Sequence, residues 1–154
     1  MPATIIGVDP HKRSHTAVVL DEGERIVSQL RVDAGPGQVD KLLGWAPGGE
    51  RVWAVENANG LGRLLAQQLV ARGEIVVDVP ATLSCRARKL SGHSGRKTDE
   101  FDARSVVIAA AHNNRLRHVT RGQQHRRDRS VVGPPLAAGV AAATHDLSAA
   151  RPAR

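Results

Sequence analysis

Three runs rich in β-branched residues open the chain, TIIGVD (4–9), HTAVVLD (15–21) and RIVSQLRVD (25–33), and only the short polar turns PHKRS and EGE separate them. Connections that short join antiparallel neighbours and leave no room for a crossover helix, so residues 4–33 read as three successive antiparallel strands. This opening constrains everything after it. A sheet begun this way has one long edge left to extend, and the later strands must be added through helices.

The later segments have that character. GPGQVDKLLGWAPGG reads as a short helix bracketed by glycine and proline, and RVWAVE (51–56) reads as a fourth strand. NGLGRLLAQQLVARG places Leu61, Leu64, Leu65, Leu69 and Val70 on one helical stripe and ends at Gly73, a plausible C-cap. EIVVDVP is a fifth strand stopped by Pro80. The polar stretch ATLSCRARKLSGHSGRKT carries Gly92 and Gly95 and reads as a loop, mobile in the absence of nucleic acid. Thr98 is a good N-cap for the helix DEFDARSVVIAAAHN, whose first turn is acidic as the helix dipole prefers. The order β-β-β-α-β-α-β-loop-α predicts an α/β fold with a mixed sheet flanked by helices.

From Val119 the character changes to Ala, Arg, Gly and Pro with no persistent apolar period, which predicts a domain over 1–118 and a disordered, low-complexity tail over 119–154. At 154 residues the chain suits one domain plus such a tail. No apolar run approaches the roughly 20 residues of a membrane span and the N-terminus lacks signal-peptide order, so the expectation is a cytoplasmic protein without membrane contact. Cys85 is the single cysteine, which leaves neither a disulfide framework nor a cysteine-based zinc site.

The net charge of +7 points to a polyanionic partner. Six arginines against Asp128 and Asp146 put +4 of it after residue 118. Before that, Ala81 to Thr98 holds Arg86, Arg88, Lys89, Arg96 and Lys97 with no acidic residue, a local basic patch suited to backbone phosphates.

Against this basic background four carboxylates stand out. Asp9 closes the first strand, Glu56 closes the fourth, and Asp99 and Asp102 lie three apart in one helical turn, hence on one face. Were the first and fourth strands neighbours, Asp9 and Glu56 would leave the sheet at the same edge. Four hard oxygen donors suit Mg²⁺ or Mn²⁺, and two such ions roughly 4 Å apart serve phosphodiester chemistry. Each residue also has an ordinary explanation: Asp9 as a turn residue, Glu56 as a solvated side chain, Asp99 and Asp102 as helix-capping charges.

The segments IIGVDPHKRSHTAVVLDEGERIVSQLRV, WAVENANGLGRLLAQQL, VVDVPA and GRKTDEFDARSVVIAAA, in this order from about Ile5 to Val119, resemble the N-terminal domain of the DEDD-type insertion-sequence transposases, relatives of the Piv-type DNA invertases. The catalytic domain of that group is similar to RuvC Holliday-junction resolvase. The resemblance implies an RNase H-like fold, Asp9, Glu56, Asp99 and Asp102 as catalytic and metal-binding residues, Mg²⁺ (or Mn²⁺) as cofactor, and DNA together with a structured guide RNA as partners. Arg96 and Lys97 match the family's basic lead-in to the last helix, and His11, Lys12 and His15 also fall at family-like positions. Lys12 joins the basic patch as an expected nucleic-acid contact, whereas the two histidines have no assigned role.

Full members of the family continue into a helical segment and a second domain bearing a nucleophilic serine, and nothing after Val119 resembles either. The expectation is therefore a truncated transposase, inactive alone, with a non-catalytic nucleic-acid-binding remnant as the alternative and self-association left open. Ser130 and Ser148 lie outside family-like sequence and do not replace the missing serine. A sugar-kinase or actin-like ATPase reading of GVDPHKRSHTAVVLD is disfavoured by Pro10, which removes a backbone N–H where a phosphate-binding turn needs one.

Overall fold

The parallel strands are buried on both faces, and their alternate side chains feed two cores, one on each side of a single sheet. In the computed structural model, which describes residues 3–92 and 97–122, ten elements follow one another. They are β1 (Thr4–Pro10), β2 (Ser14–Leu20), β3 (Ile26–Asp33), α1 (Gln38–Trp45), β4 (Arg51–Glu56), α2 (Arg63–Ala71), β5 (Ile75–Val79), α3 (Ala81–Leu90), α4 (Asp99–Ala111) and β6 (Arg117–His118). The strand order is β3-β2-β1-β4-β5-β6. β1, β2 and β3 form the antiparallel meander, β4 lies parallel to β1, β5 parallel to β4, and β6 runs antiparallel at the far edge. An antiparallel meander extended by two parallel strands through helical crossovers is the RNase H-like arrangement, so the expected fold class stands.

Ile6 and Val8 of β1, Trp53 and Val55 of β4 and Val76 of β5 pack with Leu42 of α1 and Leu65 and Leu69 of α2. On the opposite face Val52 and Ala54 of β4, Val77 and Val79 of β5, Ala87 of α3 and Val106 and Ala110 of α4 form the second core. The period of two therefore assigns Gly7 and Asp9 of β1, and Ala54 and Glu56 of β4, to the face covered by α3 and α4. Gly7 is needed there. A Cβ at that position would lie 2.6 Å from the Ala103 carbonyl oxygen and closer still to the Val107 side chain, so α4 rests directly on the backbone of β1.

Three expectations are corrected. Residues 81–90 form α3 rather than a loop. Pro80 occupies its N-cap position, Ala, Leu, Arg and Lys within it are good helix formers, and a narrow face of Ser84 and Ala87 suffices to bury it against α4. In α2 the buried stripe is Leu65, Ala66 and Leu69, while Leu61 and Leu64 are exposed, because Gly62 rather than Leu61 packs against β4. The described structure also runs past residue 118. Val119 is buried and donates its N–H to the Val76 carbonyl, and Gln67 of α2 hydrogen-bonds the Thr120 carbonyl and the Gly122 N–H. The predicted disordered tail beyond Gly122, with Ser130 and Ser148, lies outside the described residues, as does Arg96.

Candidate metal centre

Adjacent registers carry one row of polar side chains across four strands. Arg31 of β3 pairs with Thr16 of β2, and Thr16 pairs with Asp9 of β1. The parallel β1–β4 register that joins Val8 to Val55 brings Glu56 next to Asp9. Ser84 of α3 donates a hydrogen bond to Glu56 Oε1. Asp9 is buried, as is Thr16, whose Oγ1 has no hydrogen-bond partner among the described residues.

The first turn of α4 closes over this row. Thr98 caps the helix by accepting the Phe101 N–H at 3.4 Å. Asp99 then lies 3.2 Å from Arg31 Nη1 and 3.6 Å from His11 Nε2. His11 Nε2 in turn lies 2.8 Å from Asp9 Oδ2, and donor atoms of Asp9, His11 and Asp99 all fall within 4.8 Å of one another. Asp102, one turn further along, is buried and faces Arg88 of α3 at 3.0 Å. That contact is poorly aligned: Asp102 Oδ1 and Arg88 Nε both lack a hydrogen-bond partner among the described residues.

Burial pushes the Asp9 carboxyl up to about 7, and the hydrogen bond and negative charge of Glu56 add to the effect, while His11 opposes it. A carboxylate held this way at neutral pH wants a cation. The donor set fits a divalent ion on that ground: the buried Asp9 carboxyl stands beside Glu56, Asp99 and the His11 imidazole, and the Thr16 hydroxyl opposite Asp9 is buried without a partner among the described residues.

Of the residues named from sequence, Asp9 and Asp99 come together around His11, Glu56 stands next to Asp9 on the sheet, and Asp102 lies outside that cluster in an ion pair with Arg88. Arg88 is thus an internal partner of the acidic site rather than part of a free loop patch. Arg86 and Lys89 are exposed on α3, and Lys12 and Lys97 are exposed beside the cleft. His15 points to the other face, where it bonds the buried Gln38 Oε1 at 3.0 Å; burial holds its pKa down, and it takes no part in the cleft. Arg31 and Ser84 were not legible as site residues, since both depend on strand register and helix docking. His11 had a readable signal, because residues two apart on a strand share a face and Asp9 precedes it by two.

A model of the DEDD transposases of the IS110 type, described as Transposase, matches residues 6–128. The chain belongs to this transposase family. An uncharacterized 44.8 kDa protein of insertion element IS116 from Streptomyces clavuligerus is 34% identical over an alignment of 108 residues that covers 68% of this chain and 26% of that relative. The chain thus spans about a quarter of the relative's length. Two solved structures of Thermus thermophilus RuvC, one of them in complex with a Holliday junction substrate, align with TM-scores of 0.47 and 0.48 at 18% and 20% identity. They cover 71% and 70% of this chain and 92% of each RuvC chain. Among the described residues no helix is long and apolar enough to cross a membrane.

Proposed function

We propose that this transposase domain performs divalent-metal-dependent phosphodiester chemistry on DNA, with Asp9, Glu56, Asp99 and Asp102 as metal-binding residues. One observation carries the reading: Asp9 of the first strand stands beside Glu56 of the fourth, and its donor atoms lie within 4.8 Å of those of Asp99 at the start of the last helix. A bound divalent ion, Mg²⁺ or Mn²⁺, supplies charge neutralisation and polarises an attacking oxygen and the phosphate it attacks.

The chain's own residues do the rest. Ser84 fixes the Glu56 carboxyl toward Asp9, and Arg31 and His11 hold Asp99 against the sheet. Lys12 and Lys97, next in sequence to the site, and Arg86 and Lys89 on α3 offer exposed cations for nucleic-acid backbone, with Arg96 as an expected companion. DNA is the substrate this arrangement suits, and a structured guide RNA is the second nucleic acid that family membership suggests.

A second reading, nucleic-acid binding without cleavage, is favoured by Arg88 and Arg31, which already neutralise Asp102 and Asp99 from within. Incubating supercoiled DNA with the chain and millimolar Mg²⁺ or Mn²⁺ separates the two. Nicking that disappears in Asp9→Asn supports the first. Salt-sensitive binding that weakens on Lys89→Ala, with no metal-dependent nicking, establishes the second.

A further inference from the structure

We propose that His11 is a nitrogen ligand of the metal centre and biases it toward Mn²⁺ over Mg²⁺. The inference rests on the metal-dependent reading above and adds to it a residue outside the carboxylate set. Among the described residues, the three side chains whose donor atoms cluster most tightly are Asp9, His11 and Asp99, and the imidazole is the member between the two carboxylates.

The spacing has the dimensions of a coordination edge. Cis donors about 2.1 Å from an octahedral ion stand about 3 Å apart. The His11 Nε2 atom lies 2.8 Å from Asp9 Oδ2, a hydrogen bond whose proton an entering cation would displace to solvent, and 3.6 Å from Asp99 Oδ1. An ion placed between these atoms would meet one nitrogen and two oxygens without rebuilding the backbone. The backbone also fixes the ring's root. Pro10 locks its own φ, and the His11 N–H donates to the Ser14 carbonyl at 2.9 Å, so His11 leaves a closed hairpin turn rather than a free loop. The side chain is 45% exposed, so it is not there to fill a core.

Thr16 marks the cleft independently. It is the β2 residue opposite Asp9, it is 3% exposed, and its hydroxyl has no partner among the described residues. A buried hydroxyl left open beside two carboxylates and an imidazole belongs to a site that takes up a ligand with its water. Imidazole is a poor donor for Mg²⁺, which prefers oxygen, and a good one for transition-row ions. A mixed set of Asp9, His11 and Asp99 therefore discriminates where four carboxylates alone would not.

The test is calorimetric titration of the full chain with MnCl₂ and MgCl₂, for wild type, His11→Ala, His11→Asn and Asp9→Asn, together with pulsed electron paramagnetic resonance of the Mn²⁺ complex. Loss of an outer partner of a ligand already costs about tenfold in affinity, so loss of the ligand itself should weaken Mn²⁺ by at least about tenfold. Mg²⁺ should change by less than about threefold, since it prefers oxygen donors. The wild-type Mn²⁺ spectrum should show imidazole ¹⁴N modulation that both His11 variants lack. Equal weakening of the two ions, or a wild-type spectrum without nitrogen coupling, overturns the role of His11 while leaving the carboxylate centre in place. Wild type that takes up neither ion overturns the centre itself, and with it this inference. Melting curves of the two variants in metal-free buffer confirm that the exposed substitution leaves the fold intact.

Discussion

Asp9 is buried at 4% exposure with its carboxyl pushed up to about 7, so the folded chain holds that proton more tightly than the unfolded chain does. Between about pH 4 and pH 7 the unfolded chain releases the proton and the folded one retains it, so the contribution of Asp9 to metal-free stability falls as pH rises through that window. Asp9→Asn should remove this fall, raise the metal-free melting temperature at pH 8, and abolish any rise on adding Mn²⁺. At a Mn²⁺ concentration of about 100 times its dissociation constant that rise corresponds to about 2.7 kcal/mol in wild type. A variant that melts as wild type does at every pH, with and without Mn²⁺, would count against Asp9 as the strained member of the site. Arg88 gives the complementary prediction. Its partner Asp102 is buried, so Arg88→Gln, which leaves that carboxylate without its cation, should lower metal-free stability by about 3 kcal/mol. The same change frees an Asp102 oxygen, so metal affinity measured by titration should rise; an unchanged or lower affinity would show that Arg88 does not compete for the site.

At the scale of elements, the contact between α4 and β1 is the one on which the cleft depends. Gly7→Ala pushes a methyl group into the Ala103 carbonyl and the Val107 side chain, a backbone collision that overpacking data place at about 1–3 kcal/mol or more. The variant should melt lower and bind Mn²⁺ more weakly than its remaining folded fraction explains, because α4 carries Asp99 and Asp102. Unaltered metal affinity in the folded variant would show that the helix can shift without disturbing the carboxylates. At the other end of the sheet, Glu74 joins β4 to β5 by accepting from Arg51 and from the Trp53 indole N–H. Burial raises its pKa, but the Arg51 and Trp53 hydrogen bonds and the Arg51 charge outweigh that and hold it below 4.5. Its stabilisation is therefore present above about pH 4.5 and lost as pH falls through the lowered value. Glu74→Gln should flatten the acid limb of a Trp53 fluorescence titration, and an unchanged limb would place the acid sensitivity elsewhere.

The strands and the parity of Asp9 and Glu56 were readable because β-branched runs, short turns and a period of two are local properties. The helix α3 was not, since its glycine-rich continuation and basic composition masked a sequence of good helix formers, and its narrow buried face exists only against α4. β6 is two residues long and carries no pattern of its own. The pairing of Asp102 with Arg88 and of Asp99 with Arg31 required helix docking and strand register, and neither is written in spacing along the chain.

Across the whole molecule, the candidate site joins the earliest strand to the latest helix. Asp9 and Asp99 are brought together only when β1, β4 and α4 are all in place, although ninety sequence positions separate the two aspartates. The sheet alone, with its meander and its β4 and β5 additions, holds Asp9 beside Glu56 but offers neither Asp99 nor Asp102. Because α4 lies on the bare backbone of Gly7, its fraying is an opening of the cleft, and an ion shared between strand and helix would act as a clasp on that motion. At an ion concentration of about 100 dissociation constants the closed form gains a factor of about 100, so amide hydrogens of α4 that exchange through this opening should slow by about that factor. Amides of α1, which packs on the opposite face, should slow only to the extent that global unfolding governs them. Metal occupancy would then be readable, without any DNA, as the residence time of one helix on one glycine.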